Sequence, residues 1–161
     1  MKLARRRRRW SAKAIRRRSP QGTPYTSRRT LLSRGELAFY TVLLRSIEPN
    51  CAVSLKTRLA DILHCPQELW NAPHGRRLSQ KHVDFVLYCP HSGLILAVIE
   101  LDDSSHLRAA RRERDRFVRS ALAEAKIPFL QVVAASGYDA DSLRYRIQWL
   151  LRREKNQPPR S

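Results

Sequence analysis

The spacing of apolar residues predicts an opening α-helix between Ser33 and Pro49. Apolar side chains recur there every three or four positions, as on the buried face of an amphipathic helix, and the proline then ends the run. These positions are Leu37, Tyr40, Val42, Leu43, Leu44 and Ile47. The domain is therefore expected to start with a helix that packs one face against a core.

Three short apolar runs after this helix predict β-strands. The first covers residues 51–55, the second residues 82–88 and the third residues 97–103. Residues 90–93, Pro-His-Ser-Gly, predict a hairpin between the second and third strands.

The segments between and beyond these strands complete the pattern. They are a short helix or turn at residues 57–63, a loop at 66–78, a long helix from Ser104 or Ser105 to Lys126, a strand at 128–134 and a closing helix at 142–152. The apolar stripe of the long helix is expected at Leu107, Ala110, Phe117, Ala121 and Ala125.

The order of these elements predicts an α/β fold with a mixed four-stranded sheet flanked by helices. Strands joined by a hairpin run antiparallel, whereas a long helix between two strands is a crossover that joins parallel strands. Along the chain the order of the core is α-β-β-β-α-β, which puts helices on both faces of the sheet.

Charge divides the chain into a basic arm and a nearly balanced remainder. The formal net charge is +18, and residues 1–34 contain 13 basic residues and no acidic one. Residues 1–30 are also rich in Ser, Pro and Gly, so we expect a disordered arm, then a domain at 31–155 and a tail at 156–161. Polyanions are the natural partners of such an arm.

Nucleic acid, with DNA ahead of RNA, is the expected partner of these basic residues. Phosphate contacts are expected from Arg5, Arg6, Arg7, Arg8, Arg9, Arg16, Arg17 and Arg18 of the arm and from Arg111 and Arg112 of the long helix. Membrane binding is not expected, because no apolar face accompanies the charges of the arm.

The remaining sequence favours a cytoplasmic protein. The basic start lacks the apolar run of a signal peptide, and no apolar run reaches the length of a membrane span. Cys51, Cys65 and Cys89 are odd in number and form no CxxC pair. That pattern is typical of small buried side chains in a reducing compartment, and neither of a disulfide framework nor of a zinc ribbon.

Two of the predicted strands carry an acidic residue among apolar neighbours, Asp84 and Glu100. An ionised carboxylate is costly to bury unless it is paired or binds a metal. If the strands pair through the hairpin, the two carboxylates could meet, and with a backbone carbonyl such as that of Leu101 they would suit Mg²⁺ or Mn²⁺. The alternative is that both acids form structural ion pairs with nearby arginines.

Four segments of the chain resemble an uncharacterised bacterial family, domain of unknown function 2726. They are residues 32–40, 56–63, 82–87 and 99–106. The last of them, Ile-Glu-Leu-Asp-Asp-Ser-Ser-His, is the most specific. The resemblance covers roughly residues 31–135.

That family resembles a branch of the PD-(D/E)XK restriction-endonuclease-like nucleases, and its Glu-x-Asp…His block is similar to that of very-short-patch mismatch-repair endonucleases. The resemblance implies a restriction-endonuclease-like core with Asp84, Glu100, Asp102 and His106 in a catalytic site. Asp84 and Glu100 would hold the metal. His106 would act as a general base or proton shuttle, or only as a polar residue at the start of a helix.

The residue two positions after Glu100 departs from the parent motif. The motif has a lysine there, whose ammonium would orient the attacking water and stabilise transition-state charge, whereas this chain has Asp102. The family block carries Asp at this place too, so a mechanism assisted by histidine could replace the lysine. Another cation could also substitute, notably Lys81, Arg111 or Arg114. Arg114 falls on the apolar stripe of the long helix.

Two further acids have two interpretations each. In the superfamily an acid on the first helix often joins the metal site, and the match places it at Glu36, yet Ser33 and Glu36 also form a capping-box pattern. Asp115 is flanked by Arg111 and Arg119 at helical spacing. It is expected to pair with them on the surface or to hold residues of the site in place without touching the metal.

The sequence therefore predicts a Mg²⁺-dependent nuclease that hydrolyses phosphodiester bonds of DNA and uses its basic arm for non-specific affinity. The alternative is a catalytically inactive nucleic-acid-binding protein on the same scaffold. A third hypothesis is that the arm directs the protein to RNA or ribosomes.

Overall fold

The structure is a computed structural model that describes residues 26–102 and 109–155, without the side chains of 109–114 and 153–155. The chain divides after Ser33, and the fold below belongs to the unit that starts at Arg34. Residues 26–33 contain no helix or strand. His106, the arginines between residues 5 and 18 and the side chains of Arg111 and Arg112 lie outside the described part. The boundaries at residues 30 and 155 stay predictions.

Four strands and five α-helices make up the described fold. The strands are β1 (Ala52–Arg58), β2 (His82–Tyr88), β3 (Ile95–Asp102) and β4 (Phe129–Val133). The helices are α1 (Arg34–Ser46), α2 (Gln67–Trp70), α3 (Pro73–Ser79), α4 (Ala109–Glu124) and α5 (Ala140–Lys155). A single 3₁₀ turn, Leu59–Asp61, follows β1.

The strands form one mixed sheet in which spatial order equals chain order, β1-β2-β3-β4. β1 with β2 and β2 with β3 are antiparallel, whereas β3 with β4 is parallel. The predicted hairpin is confirmed, because the Gly93 amide donates to the Cys89 carbonyl at 2.8 Å. Gly93 has a φ of +72°, which an L side chain would disfavour.

Two apolar clusters cover the two faces of this sheet. Phe85 and Leu87 of β2 pack with Phe39 of α1, whereas Val86, between them in the chain, packs with Val118 of α4. Side chains of a strand alternate between faces, so α1 and α5 cover one face and α4 covers the other. The prediction of a mixed sheet flanked by helices is confirmed.

The region between β1 and β2 differs from the prediction. The loop expected at residues 66–78 contains α2 and α3, which have four and seven residues. Helices this short span one or two turns, so they offer no apolar periodicity to detect. β1 also extends to Arg58, three residues beyond its predicted end.

The buried faces of α1 and α4 match the predicted ones only in part: Leu43 of α1 is fully buried as predicted, and Phe117 and Ala121 of α4 pack against the core. In α1, Phe39 is fully buried, whereas Leu37 and Leu44 are 54% and 48% exposed. In α4, Val118 and Leu122 are fully buried, and neither belonged to the predicted stripe. Both helices carry apolar residues on adjacent faces, and spacing alone does not say which face meets the sheet. Among the described helices, none combines the length and the apolar character that crossing a membrane needs.

Candidate functional site

A row of polar side chains crosses one end of the sheet, with one residue on each strand. In the register of β1 and β2, Lys56 and Asp84 lie between the pairs Leu55–Phe85 and Thr57–Val83, which sets them across from each other. The register of β2 and β3, continued by one residue, places Asp84 across from Glu100, and Glu100 pairs with Gln131 of β4. Directly opposite residues share a face of the sheet and are within reach of one another.

This row lies on the sheet face that α4 covers. Asp84 and Glu100 are two residues from Val86 and Val98, respectively, and both valines pack in the cluster that contains Val118 of α4. Because residues two apart on a strand point to the same side, the acidic side chains extend this apolar face to the end of the sheet. Apolar packing therefore fixes the strands that carry the carboxylates.

Lys56 is the central cation of the row. Its Nζ lies 2.6 Å from Oδ1 of Asp84 and also donates a hydrogen bond to Oε1 of Glu36, in the first turn of α1. The Lys56 side chain is 31% exposed, and those of Glu36 and Asp84 are 19% and 20% exposed. These charges are thus partly shielded from water. Ion pairs in such partly buried positions are stronger than those on an open surface.

Asp84 is fixed by contacts on both carboxylate oxygens. Oδ1 binds Lys56, and Oδ2 accepts a hydrogen bond from the backbone amide of Leu101 at 3.1 Å. Leu101 follows Glu100 on β3, so this bond ties the Asp84 carboxylate to the segment of β3 that carries the second acid. Charge-assisted hydrogen bonds of this kind hold a carboxylate in one orientation.

The backbone of Lys56 has an uncommon conformation. Its φ is +51°, in the left-handed region that residues other than glycine seldom adopt. A residue held there costs on the order of 1–3 kcal/mol, and such residues cluster at functional sites. The strain supports a functional role for Lys56.

The charge of Lys56 is stabilised by its partners. Burial lowers the pKa of the ammonium, but the hydrogen bonds and charges of Asp84 and Glu36 outweigh burial and raise the pKa above its ordinary value of 10.5. The side chain is therefore protonated at neutral pH. It can serve as a fixed cation and hydrogen-bond donor, and not as a general base.

Asp102 is held by a second polar chain on the same face. Nε2 of Gln131 donates to Oδ2 of Asp102 at 3.0 Å, and Arg119 of α4 donates to Oε1 of Gln131. In the part of the chain that the structure describes, Arg119 therefore binds Gln131 and does not form the predicted surface pair with Asp115. These bonds connect the end of β3 to the basic helix.

The structure thus brings the sequence-predicted acids to one end of the sheet. Glu36 and Asp84 meet at Lys56, Glu100 lies across from Asp84, and Asp102 lies two residues further along β3. The capping role of Glu36 stays a prediction, as does every role of His106.

Lys56 is the functional candidate that sequence reasoning missed. Lys81 is one of the predicted replacements for the motif lysine, but the cation beside Asp84 is Lys56. The side chains of the other two candidates, Arg111 and Arg114, lie outside the description. The sequence contains one signal for Lys56, since this residue opens the second segment of the family resemblance. The predicted first strand ends at residue 55, so the prediction does not place Lys56 on the sheet.

The chemistry of the donor set decides which metal it could hold. Among the described residues, no group of three or more His, Cys, Asp or Glu side chains could hold a metal ion. Mg²⁺ often needs only one or two carboxylates, together with waters and substrate phosphates. A carboxylate oxygen has two lone pairs, so the contacts of Asp84 leave acceptor capacity. Asp84 and Glu100 could therefore hold a hydrated Mg²⁺ beside Lys56.

Comparison with known proteins assigns the chain to a family. It belongs to the DUF2726 family, described as a protein of unknown function, whose profile matches residues 28–150. No curated protein and no solved structure matched the chain. The predicted membership is confirmed, while the likeness to restriction-endonuclease-like nucleases stays a prediction.

Proposed function

We propose that this protein is a Mg²⁺-dependent nuclease that hydrolyses phosphodiester bonds of DNA at the polar end of its sheet. The observation that carries the proposal is the Lys56 ammonium, 2.6 Å from Asp84. The PD-(D/E)XK motif combines two acids on neighbouring strands with an ammonium. Asp84 and Glu100 supply the acids, and Lys56 supplies the ammonium from the adjacent strand instead of from position 102.

The roles of the residues follow from their contacts. Asp84 and Glu100 would hold the cation, which would supply Lewis-acid polarisation of the phosphodiester and a lower pKa for water at the site. The Lys56 ammonium has three N–H donors, of which Asp84 and Glu36 each occupy one. The third is directed to the attacking water or a phosphate oxygen, where negative charge develops in the transition state.

Glu36 positions Lys56 rather than touching the substrate. Without it, the ammonium would have one anchor on a long flexible side chain, and the third donor would be free to rotate. Two anchors hold a donor in a fixed direction before the reaction starts, which is the condition for electrostatic stabilisation of a transition state. Asp102, whose Oδ2 accepts a hydrogen bond from Gln131, would accept a further hydrogen bond from water at the site.

The test is cleavage of plasmid and branched DNA by the purified chain. We expect cleavage with Mg²⁺ or Mn²⁺ and none after the metal is removed with EDTA. Glu100→Gln should lose activity by at least about 10²-fold, because a neutral amide binds a hard divalent cation poorly. Activity would be followed on gels as the loss of supercoiled plasmid.

Glu124→Gln is the matched control, since Glu124 is an exposed glutamate at the end of α4. It should cleave like the unaltered chain. Equal activity of Glu100→Gln and Glu124→Gln would place the cleavage elsewhere or in a contaminant, and no cleavage of any DNA with either metal would contradict the nuclease proposal.

A second candidate function is nucleic-acid binding without catalysis. It is favoured by the neutralisation of Glu36 and Asp84 by Lys56, which gives these acids a structural role, and by the concentration of basic residues in the first 34 positions. A scaffold of this kind would present a stable fold and a basic arm to the phosphate backbone.

Salt dependence tests the binding that both functions share. If about six arginines contact phosphates, the affinity for duplex DNA should fall by about 10³-fold between 50 and 200 mM salt. Fluorescence anisotropy with labelled DNA measures this slope. Binding that changes less than about threefold over this range would exclude the arm as a phosphate-binding element, and tighter binding of matched RNA would support the RNA hypothesis.

A further inference from the structure

Cys51 directly precedes β1 and Cys89 directly follows β2, at the ends of these strands that lie away from Lys56. The last pair in this register is Ala52 with Tyr88. Continued by one residue, the register sets Cys51 opposite Cys89. Burial is the main cause that raises the pKa of the Cys51 thiol, and the charges of Glu48 and Cys89 raise this pKa further. The two thiols are therefore neighbours in space, although 37 positions separate them in the chain.

The geometry of an antiparallel pair suits a disulfide. Directly opposite residues have Cα atoms about 4.5 or 5.5 Å apart, depending on the type of pair, and disulfides span Cα distances of about 4.4–6.8 Å. Opposite side chains also point to the same face of the sheet. Both cysteines carry free thiols and are partly exposed, so a small oxidant can reach them. The prediction that they are buried side chains is therefore wrong for these two residues.

We propose that Cys51 and Cys89 are a site of reversible oxidation, at which a hydroperoxide converts the two thiols into an intramolecular cross-strand disulfide. The thiolate of Cys89 attacks the peroxide, the O–O bond breaks, and a sulfenic acid and a hydroxide or alkoxide form. The thiol of Cys51 then attacks the sulfenic sulfur, the S–S bond forms and water leaves. The two thiols lose two electrons in total, and the peroxide accepts them.

The surroundings of the two thiols shift their pKa values in opposite directions, and this order of steps requires Cys89 to have the lower pKa. Hydrogen bonds from the side chain of Ser92 and from the backbone of the hairpin lower the pKa of Cys89. Burial raises the pKa of Cys51. Thiolate is the nucleophilic form, so Cys89 reacts first with the peroxide and Cys51 resolves the sulfenic acid.

The cross-link would join the start of β1 to the end of β2. It closes a loop that contains α2 and α3, and closing a loop of this length restricts the unfolded chain. We therefore expect the oxidised protein to melt at least about 5 °C above the reduced protein. Lys56 and Asp84 lie at the other end of the two strands, so the inference does not depend on the proposed nuclease activity.

The experiment treats the reduced full-length chain with a small excess of hydrogen peroxide and then alkylates the remaining thiols. We expect a monomer 2 Da lighter before alkylation, a single alkylated cysteine, Cys65, and a Cys51–Cys89 cross-linked peptide after digestion. Dithiothreitol should restore three alkylatable thiols and the lower melting temperature.

Three variants make the outcome decisive. Cys65→Ser should still form the cross-link, and Cys51→Ser should instead accumulate a sulfenic acid on Cys89 that dimedone traps. Cys89→Ser should form neither product. Three alkylated cysteines after oxidation, a cross-link through Cys65, or disulfides only between chains would overturn the proposal.

Discussion

Replacing Asp84 by Asn is expected to reduce DNA cleavage by on the order of 10³-fold or more. The substitution keeps the size of the side chain but removes the charge that a hard cation and the Lys56 ammonium both need, and metal-based charge stabilisation is worth several kcal/mol at the transition state. The amide also has one acceptor oxygen for two donors, Lys56 and the Leu101 amide. We expect a loss of about 1–3 kcal/mol of folding stability.

Asp61→Asn is the control for Asp84→Asn. Asp61 lies just after β1 and pairs with Arg58 at 2.7 Å, but its side chain is 44% exposed. Exposed pairs contribute little to stability, so Asp61→Asn should keep its activity and its melting temperature. Single-turnover cleavage measured beside thermal unfolding separates the two effects. Asp84→Asn that folds and cleaves at more than a tenth of the normal rate would remove Asp84 from the metal site.

The sequence predicted the sheet well because its strands obey local rules. β2 and β3 are mainly apolar runs separated by a Pro-to-Gly hairpin, and a long helical crossover such as α4 joins parallel strands. The choice of buried face was not local. Phe39 and Leu37 are two positions apart in α1 and both are apolar, yet Phe39 is buried between Phe85 and Tyr138 while Leu37 is exposed.

The candidate site was predictable in its acids and not in its cation. A carboxylate within an apolar strand is costly to bury, so Asp84 and Glu100 are conspicuous in the sequence. A lysine on an edge strand is ordinary, since edge strands often carry lysines that discourage aggregation. The role of Lys56 depends on a left-handed backbone and on α1 lying near β1, and neither follows from local spacing.

Replacing Lys56 by Met is expected to lower the single-turnover cleavage rate by about 10²–10³-fold, the usual effect of removing one preorganised donor at a transition state. DNA affinity should change less than about threefold, because one of 32 basic residues is lost. Lys81→Met is the matched control, since Lys81 immediately precedes β2 without belonging to the Lys56 ion pairs, and it should cleave normally.

Metal affinity distinguishes a catalytic Lys56 from one that only supports the fold. Lys56→Met removes the ammonium that neutralises Glu36 and Asp84, so the variant should bind Mn²⁺ more tightly than the unaltered chain while cleaving more slowly. Weaker Mn²⁺ binding together with slow cleavage would mean that the substitution had simply disordered the site. Titration calorimetry with Mn²⁺ alone gives this answer without DNA.

The pH dependence of stability follows from the same ion pairs. The pKa of Lys56 is raised on folding, so the stability that its charge contributes is fully present below the unfolded value of 10.5 and is lost as pH rises through the folded value. The melting temperatures of Lys56→Met and of the unaltered chain should therefore differ by a constant amount between pH 7 and 9. They should converge only above the ordinary pKa of lysine. Convergence near neutral pH would show that Lys56 is uncharged there and could not act as the fixed cation of the site.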